Sequence, residues 1–135
     1  MIQGKIIIDA ANSPLGRLAS FSAKQALLGK EIVILNCEAA VISGMKPSII
    51  SKYKQARTRG GSARKGPNFP KIPERLVKRT IRGMLSYKEG RGRDAMKKIM
   101  CYNNTPKEYE NAEKISLQKI FNVKTMALKE LSEKI

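Results

Sequence analysis

The chain has 135 residues and a formal net charge of +16, and it contains neither histidine nor tryptophan. This length predicts a single domain over residues 1–135 with a modest aliphatic core. The apolar runs are much shorter than the ~20 residues of a membrane span, and no secretory leader is visible, so we expect a cytoplasmic protein. The absence of histidine also removes the commonest general base.

Most of the positive charge lies in the middle third of the chain. Residues 46–98 contain 17 basic and three acidic residues, a net charge of +14, whereas residues 1–45 and 99–135 contribute +1 each. Clustered like charges repel one another and are stabilised when they meet phosphates. This distribution predicts binding to a polyanion, and nucleic acid is the obvious candidate.

Residues 4–45 predict a β-α-β unit. Three consecutive isoleucines, Ile6 to Ile8, indicate a strand over residues 5–9 that is buried on both faces. Residues 31–37 predict the second strand. Two strands joined by a helix are expected to lie parallel, with a right-handed crossover.

The helix between these strands has clear end signals. Ser13 is the predicted N-cap and Pro14 the first helical residue, and Gly29 is a natural stop. A dinucleotide site would need closely spaced glycines in the turn before this helix, but only Gly16 is near. We therefore expect no nucleotide cofactor there.

The chain then predicts a short strand and a second helix. Val41 and Ile42 suit the strand, and Pro47 opens a helix that runs to about residue 57. Lys52 and Lys54 are expected to face outward from this helix and to contribute to nucleic-acid binding.

Residues 57–72 form a basic arm without acidic residues, in which glycines and prolines exclude regular structure. Such a segment is either a solvated linker or an arm that orders on an anionic surface, and the charge favours the arm. Its candidate phosphate-binding residues are Arg57, Arg59, Arg64, Lys65 and Lys71. Phe69 could either stack on an unpaired base or serve in packing.

A helix over residues 73–86 carries the most informative charge pattern. Pro73 opens it, although Ile72 is a poor cap. Its basic residues lie within one arc of about 100°, with the apolar residues on the other side; they are Arg75, Lys78, Arg79 and Arg82. Basic residues on one face without a neighbouring acid forgo intrahelical ion pairs, which favours a binding face over a merely solvated one.

The segment that follows predicts a second site for phosphates. Gly90 and Gly92 indicate a basic turn over residues 88–93, and a short helix through residue 98 and a strand over residues 99–102 should follow. The candidate nucleic-acid-binding residues are Lys88, Arg91, Arg93, Lys97 and Lys98. Tyr87 could stack on an unpaired base or pack against the protein.

A C-terminal extension, residues 103–135, predicts a turn and then a closing helix. The apolar residues that suggest this helix are Val123, Met126, Ala127 and Leu131. Cys37 and Cys101 are predicted to be small buried thiols, because a disulfide is unfavourable in a reducing compartment. Without histidine or paired-cysteine spacing, we expect no metal site.

Two motifs resemble a known family. TIRGMLSYKEGRGRDAMKKIMCYNN, residues 80–104, is similar to the signature of the large-subunit ribosomal protein thirteen family. Residues 6–44, which contain Leu-Gly-Arg-Leu-Ala-Ser and Asn-Cys-Glu, resemble the same family in its archaeal and eukaryotic branch. The resemblance covers about residues 5–104. One departure is Ser86-Tyr87, where members usually have Pro-His.

The resemblance implies a three-layer α/β/α fold with a mostly parallel sheet of about four strands. It implies a structural role in the large ribosomal subunit, with large-subunit rRNA and neighbouring ribosomal proteins as partners. It also implies that the protein has no catalytic activity and binds no cofactor.

Two other functions remain open from the residues alone. An RNA-modifying or nucleotide-binding α/β enzyme could use the same basic surface, and Asp9 and Glu38 could then meet in a cleft. These carboxylates would more ordinarily cap turns or pair with basic residues. A DNA-binding module is the other alternative, although no clear helix-turn-helix or zinc pattern is present.

Overall fold

The computed structural model describes residues 5–58, 72–116 and 124–134, without the side chains of residues 57 and 58. The strands are β1 (Lys5–Asp9), β2 (Glu31–Leu35), β3 (Val41–Ser43), β4 (Ile99–Cys101), β5 (Ile115–Ser116) and β6 (Thr125–Ala127). The α-helices are α1 (Leu15–Leu27), α2 (Lys46–Thr58), α3 (Pro73–Gly83), α4 (Gly90–Lys97) and α5 (Leu128–Lys134). Short 3-10 helices occur at Cys37–Ala39 and Lys107–Tyr109.

Four strands form a parallel sheet in the order β4-β2-β1-β5. In its centre, Ile6 is paired with Ile32, and Ile32 is paired in turn with Ile99. The predicted β-α-β unit and the predicted number of strands in the central sheet are therefore confirmed. The isoleucine run suits this position, because central parallel strands are buried on both faces.

The two faces of the sheet are covered differently. Side chains alternate along a strand, so Ile6, Ile8, Ile32 and Ile34 lie in one core cluster with residues of α1, α3, α4 and α5. The opposite face, which includes Ile7 and Val33, packs against Tyr109 and neighbouring residues of the 102–112 segment. These layers are consistent with the predicted three-layer α/β fold.

The start of α1 corrects the predicted cap. Pro14 occupies the N-cap position, and the helix begins at Leu15. Ser13 is buried in the preceding turn, where its hydroxyl donates to the Asp9 carbonyl at 3.4 Å and its own carbonyl accepts from the Val41 N–H at 3.0 Å. Ser13 therefore ties the turn to β3 instead of capping α1. The predicted stop is confirmed, since α1 ends before Gly29, which has a φ of +95°.

The C-terminal residues correct a second prediction. Met126 and Ala127 lie in β6, which pairs antiparallel with β3, and only the residues from Leu128 onward are helical. The Leu128 N–H also donates to the Ala40 carbonyl at 2.9 Å. Apolar spacing suggested a helix, but pairing with a strand 84 positions earlier decides the conformation. Val123 lies outside the described residues.

Helix α5 joins the same core as the central sheet. Leu128 and Leu131 belong to the larger cluster, and the Glu130 carboxylate pairs with Lys46 of α2 at 3.1 Å. Within the described ranges no helix could cross a bilayer, and the longest, α1 and α2, have 13 residues each.

Candidate nucleic-acid interface

Helix α3 has the two faces that the sequence predicts. Its buried residues are Pro73, Leu76, Val77 and Ile81. On the opposite side, Arg75 and Arg82 are exposed, and Lys78 and Arg79 are partly exposed. The buried face packs mainly against α1 and β4, so Arg75 and Arg82 are displayed on the side away from the core, whereas Arg79 has its Nε buried.

The start of α3 is fixed by a residue that the sequence analysis missed. Ile72 makes no side-chain cap, as expected, but the Asn103 side-chain oxygen accepts from the Glu74 N–H at 3.0 Å. Amide donors in the first helical turn have no partner within the helix, and a side-chain oxygen satisfies them. Asn103 follows β4, so the end of a sheet strand positions the first turn of α3. No local pattern could reveal a cap that is 29 residues away.

Helix α3 ends at Gly83, three residues earlier than predicted. The Leu85 side chain is buried in the core, and its N–H donates to the Arg82 carbonyl at 3.1 Å. The chain then turns through residues 84–89. The burial of Leu85 anchors this turn, which directly follows the basic helix in the chain.

The predicted turn over residues 88–93 is wrong for residues 90–93, which are helical. Helix α4 begins at Gly90, so Arg91 and Arg93 are exposed residues of its first turns. Gly92 is buried, and a Cβ atom at this position would collide with the Ser86 carbonyl. The glycine therefore serves close packing between α4 and the preceding turn.

Tyr87 lies at the edge of the α3 basic face. Tyr87 is 39% exposed, and the Arg82 guanidinium carbon lies 4.9 Å from the centroid of its ring. At this distance the guanidinium is attracted by the ring's π-face. Tyr87 thus adjoins Arg82 of the basic face, and the exposed Lys88 follows it in the chain.

Other predicted residues lie elsewhere. Lys52 and Lys54 are exposed on α2, as predicted. Lys97 and Lys98 line a separate cavity of about 200 Å³, together with Lys5, Met100 and other residues at the amino ends of the strands. A hydrogen bond with Tyr109 raises the pKa of Lys5. Lys5 is a further cation that the sequence analysis missed, because it lies far from the basic third.

The candidate residues of the arm are not described by the structure. Arg59, Arg64, Lys65, Phe69 and Lys71, and the side chain of Arg57, lie outside the described residues. Their roles in phosphate binding and stacking stay predictions.

The carboxyl edge of the sheet contains a network of polar side chains. Asp9 Oδ1 accepts from the Ala11 N–H at 3.1 Å and from Asn36 Nδ2 at 3.0 Å. The Asn36 side-chain oxygen accepts in turn from the Thr105 hydroxyl at 3.1 Å. Asp9 thus stabilises a turn, the more ordinary of the two roles considered for it.

Both cysteines are free thiols. Cys37 is fully buried, as predicted, whereas Cys101 is only partly buried. A hydrogen bond with Cys101 and burial together raise the pKa of the Cys37 thiol, which keeps it protonated and unreactive. In the described ranges, no three acidic, cysteine or histidine side chains are grouped to hold a metal ion.

These features define a class of protein: an α/β body that displays basic side chains on one helix and on the turn behind it. Residues 3–108 match the family model for ribosomal protein L13. The chain belongs to this family.

Archaeal relatives extend the likeness over most of the chain. The large ribosomal subunit protein uL13 of Methanosarcina barkeri is 51% identical over 82% of this chain and 79% of its own length. The proteins of the same name from Methanocaldococcus jannaschii and Thermoplasma volcanium are 45% and 42% identical. They cover 94% and 96% of this chain, respectively, and the same shares of their own lengths.

Proposed function

We propose that this chain is a structural constituent of the large ribosomal subunit that binds and clamps folded large-subunit rRNA. Its site of action is the subunit in the cytoplasm, where it also contacts neighbouring ribosomal proteins. Residues 1–135 act as one domain, with the arm over residues 57–72 and the tail from residue 103 as its extensions. Family membership supports the ribosomal role and sets aside the enzyme alternative.

The basic face of α3 carries the proposal. Its outward residues, Arg75, Lys78, Arg79 and Arg82, are partly or fully exposed opposite a buried apolar face. Arginine suits phosphate because its planar guanidinium can donate two parallel hydrogen bonds, and lysine adds a compact charge. Several such groups on one rigid face could neutralise phosphates from adjacent RNA strands.

The contacts that hold α3 in place support binding by a preformed surface. Asn103 fixes the first turn, Leu76 and Ile81 are buried along the middle, and Leu85 anchors the end. A preformed surface loses less conformational freedom on binding than a flexible one. Side chains cannot easily enter the deep major groove of A-form RNA, so α3 should recognise the backbone and shape of the RNA.

Further cations extend the contact beyond α3. Lys88, Arg91 and Arg93 lie on the turn and on α4, and Lys52 and Lys54 lie on α2. The arm would add its own basic residues. Several separate groups of cations can hold several RNA segments together, and this is the sense in which the protein acts as a clamp.

Replacing three arginines tests this function. The variant R75Q/R79Q/R82Q should bind the large-subunit rRNA fragment that wild-type protein protects from RNase about 100-fold more weakly or worse, because it loses charge-assisted hydrogen bonds. The slope of log K against log salt should also become shallower by about 2 to 3, since each lost phosphate contact removes about 0.7 to 0.9. Filter binding between 50 and 200 mM salt would measure both effects.

The charge-matched control is K24Q/K107Q/K129Q, which removes three exposed lysines outside the middle third. It has the same net charge as the arginine variant and should retain most of the affinity. If the two variants lose equal affinity for RNA, binding depends on net charge and not on the α3 face. If the arginine variant binds RNA as well as wild type, the α3 face is not part of the interface. Competition with duplex DNA of equal length would test the DNA-binding alternative.

A further inference from the structure

Phosphate binding leaves the exposed ring of Tyr87 unexplained. The other three tyrosines, Tyr53, Tyr102 and Tyr109, pack in or against the two core clusters. Tyr87 belongs to neither cluster and is 39% exposed. An aromatic ring gains from burial, so a ring held at a basic surface is suited to a partner that will cover it.

The turn that carries Tyr87 is held firmly. The Tyr87 N–H donates to the Leu85 carbonyl at 2.9 Å, and the Glu89 N–H donates to the Ser86 carbonyl, also at 2.9 Å. Gly92 packs so closely against Ser86 that no side chain would fit between them. The backbone at Tyr87 is therefore fixed between the buried Leu85 and the first turns of α4.

The Arg82 guanidinium lies over the Tyr87 ring, with its central carbon 4.9 Å from the ring centroid. A stacked guanidinium keeps its N–H groups at the edge, where they can still donate to phosphate. Tyr87 remains 39% exposed, which leaves room for contact with a second flat group. Arg82 and Tyr87 thus form a composite surface in which charge and aromatic area adjoin.

We propose that Tyr87 and Arg82 form a stacking platform for one unpaired base of the bound RNA. The base stacks on the exposed surface of the Tyr87 ring, and Arg82 and Lys88 bind the phosphates beside it. Every base has a π-face, so the platform would select an unstacked nucleotide in a loop or bulge over a paired one, whatever its sequence. This inference rests on the proposed function and adds the class of nucleotide that the site takes.

A protein partner is the competing occupant. Tyrosine, arginine and methionine are all enriched in protein interfaces, and the exposed Met84 lies nearby in the chain. The charge of the surroundings favours RNA. Lys78, Arg79, Lys88 and Arg91 are partly or fully exposed near this part of the chain, and Glu89 is the exposed acid among them.

The absence of tryptophan allows a specific spectroscopic test. In the full-length variant Y87W, the single indole should occupy the platform, and its fluorescence should be quenched when the RNase-protected rRNA fragment is added. The reference reporter is L28W, on an exposed residue just after α1, and it should change little. An unquenched Y87W at saturating RNA would overturn the platform.

Affinity supplies the second readout. Y87L should bind the same RNA about 5- to 100-fold more weakly, and Y87F should bind nearly as well as wild type, because the ring remains. The salt slope of Y87L should match that of wild type, since no phosphate contact is lost. Thermal unfolding would confirm that the variants are folded.

The outcomes separate this inference from the proposed function. If R75Q/R79Q/R82Q weakens binding and Y87L does not, the platform is wrong and the phosphate-binding face stands. If Y87L binds RNA normally but fails to enter large subunits, the ring contacts a protein and the platform is again wrong. Weakened binding by Y87L with an unchanged salt slope, and rescue in Y87F, would support it.

Discussion

Helices α1 and α3 lie side by side on the same face of the sheet, yet their outer faces differ in charge. Neither is capped by the side chain of the residue before it, Pro14 for α1 and Ile72 for α3. Each buries an apolar stripe in the same core cluster. Their outer faces differ: α1 has two basic residues in 13, whereas α3 has four in 11. Packing and charge are therefore independent properties of these helices, and the proposed binding role of α3 rests on the charge of its outer face.

The inner faces also differ in how they approach the sheet. Helix α1 buries four small residues, Ala19, Ser22, Ala23 and Ala26. It connects two central strands, and small side chains allow it to lie close to them. Helix α3 buries larger residues along its middle, and both of its ends are fixed by other segments, Asn103 at the start and the Leu85 turn at the end. It is thus held in place at both ends, with Arg75 and Arg82 exposed on its outer face.

The largest stability effect should come from the inner faces, where the two helices should behave alike. Leu18 of α1 and Leu76 of α3 are both buried, at 0% and 1% exposure. Leu18→Ala and Leu76→Ala should each lower the free energy of unfolding by about 2 to 5 kcal/mol, because each leaves a cavity. Chemical denaturation would measure this. A Leu76→Ala loss below about 1 kcal/mol would mean that α3 is not docked like α1.

A smaller effect should come from the Asn103 cap. Asn103→Ala should cost about 0.5 to 2 kcal/mol of stability, since it removes the acceptor for the Glu74 N–H. It should also raise the hydrogen-exchange rates of amides in the first turn of α3 while leaving α1 unchanged. The matched control is Asn104→Ala, at an exposed neighbouring position. If both substitutions change stability and amide exchange equally, Asn103 does not cap α3.

The smallest effect should come from single lysines on the outer faces. Lys24→Gln on α1 and Lys78→Gln on α3 should each change stability by no more than about 0.5 kcal/mol. Lys78→Gln should nevertheless reduce the salt slope of RNA binding by about 0.7 to 0.9, whereas Lys24→Gln should leave it unchanged. A salt titration of each variant would show the difference. The same slope for both variants would contradict the assignment of binding to α3.

Local patterns in the sequence predicted the parts of the fold that depend on neighbours in the chain. The isoleucines of β1 indicated a buried strand, and the spacing of Arg75, Lys78, Arg79 and Arg82 indicated one helical face. Both signals arise from the periodicity of a single element, so no knowledge of distant residues was needed.

The errors occurred where a distant segment decides the outcome. Ser13 is held by β3, and Met126 pairs with Ile42. The cap at Asn103 belongs to the same group. In the candidate interface, sequence located the charges of α3, but the contact between Arg82 and Tyr87 depends on a turn whose shape the sequence did not reveal.

The loop after β4 has a consequence for how the molecule opens. Asn103 in this loop holds the first turn of α3, and Thr105, two residues later, donates to Asn36 at the carboxyl edge of the sheet. A fluctuation that lifts the loop would break both bonds together. We therefore expect the amino end of α3 and the carboxyl edge of the sheet to behave as one cooperative unit, whose amides exchange with solvent in the same opening event.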